Sequence, residues 1–189
     1  MIKIQKKRAA MYGIVIIMWA AVVPSLLESG FGKGASFFSD LLTAPFAVCL
    51  ARKQYSIRKK GVMEAIALAA AAILASFLLV RIPGVSAASS DAFGRIFALH
   101  PVLAAVSASV SGPAMEEIVF RLVPFSLIRS RNAALVVSSV LFALAHASSP
   151  LAALPYLAAG VIFGISYMRN GIAGSTLTHS IYNAIAMIL

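Results

Sequence analysis

The sequence predicts an all-α, polytopic transmembrane helical bundle, and three observations carry that reading. Of the 189 residues, 61% are hydrophobic, and the mean hydropathy is +0.94. Only 12% are charged, about half the share of an ordinary soluble domain. Apolar runs recur at 9–27, 36–51, 62–82, 96–128, 132–147, 151–168 and 172–189, most of them near the roughly 20 residues that cross a bilayer core. One crossing per run gives seven spans; eight follow if 96–128 makes two passes.

The first run follows Lys3, Lys6, Lys7 and Arg8. Such a basic start imitates a secretory signal, but the run exceeds the roughly 7–15-residue apolar core of a signal, so it reads as a retained helix. Run 36–51 holds Cys49, the only cysteine, which excludes an intrachain disulfide. With apolar neighbours and no base beside it, Cys49 reads as inert packing. Arg52, Lys53, Arg58, Lys59 and Lys60 fill the next loop. The alanine-rich stretch 65–75 reads as a closely packed helix face. Residues 83–94, with Pro83, Gly84, Ser86, Ser89, Ser90 and Asp91, read as an exposed loop.

A cytoplasmic N-terminus and seven crossings place twelve Lys and Arg residues inside and only Lys33, Arg81 and Arg95 outside. That is the positive-inside pattern. The net charge of +10 therefore reflects topology in a cell membrane and a juxtamembrane lipid surface rather than nucleic acid. Segment 96–128 is the exception in length, since one helix of that size extends about 50 Å. Gly112-Pro113 interrupts it, and proline kinks or restarts a helix. Either one kinked helix protrudes, or 96–112 and 113–128 cross separately. The second alternative would put Arg129, Arg131 and Arg169 outside, so the charge rule favours seven.

Chemistry concentrates where charge is most costly. Glu116 and Glu117 stand side by side in an apolar segment, and a carboxylate at membrane depth costs about 2.5 kcal/mol or more. Residues four apart share a helix face, so Glu117 faces Arg121 and Glu116 is rotated away from both. The economical division pairs Glu117 with Arg121 and leaves Glu116 free to act. Phe142 and His146 share a face in the next segment, as do His179 and Asn183 in the last. Such polar pairs also serve simply to hold helices together. His100-Pro101 is assigned no role.

Taken together and in order, Glu-Glu-x-x-x-Arg at 116–121, Phe-x-x-x-His at 142–146 and His-x-x-x-Asn at 179–183 resemble the three motifs of the CAAX prenyl endopeptidase and bacteriocin-processing (CPBP) family, the type II CAAX protease-like membrane proteins. Pro113, Phe120 and Ser138-Ser139-Val140-Leu141-Phe142 match the flanking texture; Leu122 departs from the glycine common after the motif arginine. The resemblance covers about 96–189, which it marks as a catalytic core built from the last four helical segments. Residues 1–95 carry no motif and form N-terminal helices of the same membrane domain.

The resemblance implies an intramembrane endopeptidase acting on a membrane-embedded or lipid-proximal peptide, in a setting of bacteriocin processing or tolerance. It implies that Glu116 and His146 activate water, that His179 and Asn183 stabilise the oxyanion, and that Glu117, Arg121 and Phe142 support them. No cofactor is expected. The rival is a zinc enzyme using Glu116, His146 and His179, a donor set that zinc accepts. Two non-proteolytic alternatives are a bacteriocin-immunity protein that keeps the fold and a proton-coupled transporter, whose relay would spread its ionisable groups through the membrane. Other membrane proteases fit worse: there is no His-Glu-x-x-His, and Asp40 and Asp91 both follow serine rather than glycine. A rhomboid-like use of Gly164-Ile165-Ser166 with His179 leaves Glu116, Glu117 and Arg121 without purpose.

Overall fold

An apolar chain that meets lipid must satisfy its backbone within each segment, and helix does this. The computed structural model describes residues 11–31, 35–85 and 91–189, and no strand occurs among them. Lys3, Lys6, Lys7, Arg8 and Lys33 of the charge count, and Ser86, Ser89 and Ser90 of the expected loop, lie outside the described residues. Helices α1 (Met11–Phe31), α2 (Ala35–Gln54) and α3 (Lys59–Leu79) are long and apolar enough to cross a membrane. The short α4 (Asp91–Leu99) precedes α5 (Pro101–Leu127), the fourth helix that meets those criteria. Helix α6 (Arg131–His146) has 16 residues, and α7 (Ala153–Ala186) has 34. The described residues are thus helical without strands, with four candidate spans among them where the hydropathy pattern predicts seven or eight.

Segment 96–128 divides at a different proline from the one expected. His100 leaves helical geometry (φ −137°, ψ 63°) and Pro101 occupies the first turn of α5, where a missing N–H is harmless. Helix α5 then continues through Gly112-Pro113, which corrects the two-pass alternative. Its turns widen to π geometry at Ser107–Ser111 and again at Ile118–Leu122. The Gly112 N–H bonds back to Ser107 O, and Pro113 has no N–H to give. The Ala108 carbonyl thereby loses both usual helical donors. Asn183 Nδ2 donates to it instead, at 2.7 Å. A proline is tolerated inside a membrane helix when a neighbour satisfies the freed carbonyl in this way.

Helix α7 is a hairpin. At Gly171 (φ 67°, ψ −165°) the backbone leaves helical geometry and the chain turns back. The Ser166 and Thr178 hydroxyls meet at 2.8 Å, whereas a straight helix would hold those residues about 18 Å apart. Phe163 stacks on His179 with ring centroids 4.3 Å apart. The arms 153–170 and 172–186 correspond to the two apolar runs 151–168 and 172–189. Ser130 caps α6 by accepting a hydrogen bond from the Ala133 N–H at 3.3 Å, which fixes where the chain re-enters the bundle.

Small residues let these helices approach. Ala65, Ala69 and Ala72 of α3 are fully buried, as the alanine-rich face predicts, and α3 packs chiefly against α7. One apolar cluster joins α1, α2, α5 and α7 around Ala47, Met115, Ile118 and Ile172. A second joins α3, α6 and α7 around Ala72, Phe142, Ala159 and Phe163. Large apolar side chains such as Leu26, Phe46, Met63, Leu74 and Leu144 point outward. Inside, Ser138, Ser139, Ser166, Ser175 and Thr178 are buried. This arrangement, small and polar within and greasy without, suits lipid.

Gly171→Ala tests the hairpin. The space around this glycine is open, so the expected loss, about 1–3 kcal/mol of stability, comes from backbone strain alone. Gly13, helical and also in open space, provides the control: Gly13→Ala should be neutral or slightly stabilising in the same denaturation measurement on detergent-solubilised protein.

Candidate functional site

The predicted residues meet where α5, α6 and both arms of α7 come together. Glu117 and Arg121 are completely buried. Arg121 Nε lies 3.5 Å from Glu117 Oε2, an ion-pair contact in which neither atom makes a hydrogen bond. The rest of the guanidinium binds backbone. Its Nη1 donates to Phe120 O at 3.1 Å and to Ser138 O at 3.4 Å, and Nη2 donates to Gly160 O at 3.1 Å. Arg121 thus ties α5 to α6 and to the first arm of α7. Gly160 allows it, since a Cβ there would stand 3.3 Å from Ser139 Cα and O. The face of Phe142 lies 5.2 Å from the guanidinium carbon, a cation–π contact.

Glu117 then reaches the second arm of α7. His179 Nδ1 lies 3.0 Å from Glu117 Oε1. With the carboxylate held beside Arg121, Nδ1–H is the donor, which leaves Nε2 as the free nitrogen of a neutral ring. His146, the last residue of α6, is fixed by a different acceptor to the same effect. Its Nδ1–H donates to Phe142 O at 2.8 Å, and its ring stacks on Tyr156 at 5.4 Å. Both Nε2 atoms face one oxygen: Glu116 Oε2 lies 3.3 Å from that of His146 and 3.8 Å from that of His179.

This convergence has a chemical consequence. A neutral His146 presents a lone pair to a carboxylate oxygen, so the contact is attractive only when a proton lies between them. The pair therefore holds one transferable proton. The Glu116 side chain is 19% exposed where that of Glu117 is fully buried. The two adjacent glutamates have separated as the helical spacing predicts. The opening that reaches Glu116 is a cavity of about 450 Å³, which Phe142, His146, His179 and Asn183 also line.

The match to expectation has limits. One amide N–H of Asn183 is already given to the Ala108 carbonyl, so the side chain has a single N–H for anything in the cavity. The expected zinc alternative requires three ligands in metal-binding geometry. Among the described residues, no three His, Cys, Asp or Glu side chains are so arranged. The donor types suit zinc, and no step below passes through a metal. Several participants carried no motif signal. Ser138 and Gly160 act through backbone carbonyls and Phe163 through stacking, so their roles are invisible in side-chain spacing. Asp40 is different. It lines the same cavity, and its signal was available as an isolated carboxylate in run 36–51.

Residues 98–185, which carry all three motifs, match the family model described as Type II CAAX prenyl endopeptidase Rce1-like. By this match residues 98–185, a little under half of the chain, are similar to the CAAX protease family. No curated protein and no solved structure is a significant match. The match supports a CAAX-type intramembrane protease at family level and agrees with the apolar helices. Leu122, where the family commonly has glycine, is buried beside Met115 and Ile118, so its side chain packs into the core.

Removing the guanidinium should be severe. Arg121→Leu leaves Glu117 buried without its cation, with an expected loss of about 3–5 kcal/mol. Arg121→Lys should recover only part of it, because an ammonium cannot span the three carbonyls. Arg121→Leu combined with Glu117→Gln should be more stable than Arg121→Leu alone. Denaturant titration of the three variants in detergent measures each outcome.

Proposed function

We propose that this protein is an intramembrane endopeptidase that hydrolyses a peptide bond in a membrane-embedded or lipid-proximal peptide. The observation that carries this reading is the convergence of His146 Nε2 and His179 Nε2 on Glu116 Oε2, within 3.8 Å, at the wall of a cavity. A proton relay would distribute such groups along the membrane normal. Here three of them gather at the wall of one cavity.

In the proposed reaction a water beside Glu116 and His146 gives up a proton as its oxygen attacks the scissile carbonyl carbon. The Glu116–His146 pair receives that proton and returns it to the departing amine nitrogen, as general base and then general acid. The carbonyl oxygen becomes an oxyanion next to Asn183 and His179. Asn183 offers its remaining N–H. His179 takes up a proton from solvent at Nε2 before the attack, keeps it throughout and donates from there, and Glu117 at Nδ1 stabilises that imidazolium. Donors held in a dry site act strongly on developing charge. Phe142, Tyr156 and Phe163 fix the two rings by packing. Seven crossings with a cytoplasmic N-terminus remain the topology that best satisfies the charge distribution.

Purified protein in detergent, tested on a library of fluorogenic apolar peptides, should cleave at least one of them. Glu116→Gln should lower that rate by about 10²–10⁴-fold, and Asn183→Ala by up to about 10²–10³-fold. Undiminished cleavage by Glu116→Gln would end the assignment. A strong chelator should leave the rate unchanged; loss of activity restored by zinc would replace the water-activation scheme with a metal-dependent one.

A further inference from the structure

Asp40 stands near the start of α2, outside the family-matched region, and is 5% exposed. Ser107 Oγ donates to its Oδ1 at 2.7 Å and to its Oδ2 at 2.9 Å. Ser111 Oγ donates to Oδ2 at 2.9 Å. Both serines belong to the first π-helical turn of α5. The backbone N–H groups of Asp40 and Leu41 act on the carboxylate as well. Helix packing alone does not require the charge, because an asparagine oxygen would accept from the same hydroxyls.

Charge in a membrane helix calls for a partner of opposite charge. Among the described residues, no Lys, Arg or His side chain pairs with Asp40. Its outlet is the cavity that also reaches Glu116, whose lining contains no Lys or Arg. Position along α5 gives the spacing. A Cβ on Gly112 would lie 3.3 Å from Asp40 Oδ2, and Gly112 is one helical turn before Glu116, about 6 Å along the axis. The cavity thus presents a carboxylate at the reacting centre and a second, hydroxyl-braced carboxylate one turn away.

We propose that Asp40 is a specificity-determining residue that receives a cationic group of the peptide substrate, a lysine or arginine side chain or a free α-ammonium, within a few residues of the scissile bond. This rests on the endopeptidase reading for its substrate, but the binding it predicts is measurable without catalysis. Asp40 touches no reacting atom. It pairs with the substrate cation and sets which bond lies over Glu116. The pairing gains strength because both charges leave water together in a largely apolar cavity.

Binding to the full-length Glu116→Gln protein in detergent separates the two ideas. The probes are synthetic apolar peptides, each with one lysine stepped along the chain, and twins with norleucine in its place. At one register the lysine peptide should bind at least about tenfold more tightly than its twin. Adding Asp40→Asn should abolish that preference while leaving the norleucine Kd unchanged. No lysine preference at any register, or a preference that survives Asp40→Asn, overturns the proposal. Should Asp40→Asn fail to fold, competition on the Glu116→Gln protein decides: n-butylammonium must displace the lysine peptide better than n-butanol does, and equal displacement overturns the proposal. Wild-type-like cleavage by Glu116→Gln would instead remove the catalytic reading and leave the binding result standing.

Discussion

A single guanidinium with no access to water is the constraint on which the rest of this structure depends. Arg121 must be held by acceptors from several helices, because an unpaired buried charge would cost about 3–5 kcal/mol, a large share of a net stability of about 5–15 kcal/mol. It takes Ser138 O from α6, Gly160 O from α7 and the Glu117 carboxylate from its own helix. Those demands bring α6 and α7 against α5. Glu117, its negative charge balanced, can then orient His179. The geometry around Glu116 is a downstream effect of neutralising one buried cation.

The backbone of α5 carries the second half of the design. A regular α-helix places every fourth residue on one face, but the site needs side chains aimed in more directions. Two π-helical turns supply them. The first directs Ser107 and Ser111 at α2. The second lies between Glu117 and Arg121 and carries the arginine into the contact between α6 and α7. Wide turns of this kind are poor in hydrogen-bond geometry and are found where function repays the defect. Helix α7 reaches a similar end by reversing at Gly171, which sets Phe163 against His179 although sixteen positions separate them in sequence.

Much of this was legible in the chain. Apolar runs located the helices, and four-residue spacing separated Glu116 from Glu117 and paired Phe142 with His146 and His179 with Asn183, because side-chain periodicity on a helix is regular. The break at His100-Pro101 was misplaced to Gly112-Pro113. Both prolines look alike in sequence; what distinguishes them is whether a distant side chain meets the freed carbonyl, and Asn183 is 70 residues further on. The π turns have no compositional signature. Asp40 was passed over because it fits no motif, although a lone carboxylate in an apolar run is itself a signal.

The Pro113–Asn183 relation also links two positions that no motif joins. Removing the imino acid would restore an N–H to α5 and give the Ala108 carbonyl an internal donor. Asn183 would then be released and could turn both of its amide hydrogens toward the cavity. The proline therefore acts as a valve on donor number, keeping one hydrogen in structural service and leaving one for chemistry. Relatives that differ at either position are expected to differ at both, since a change at one alters what the other is free to do.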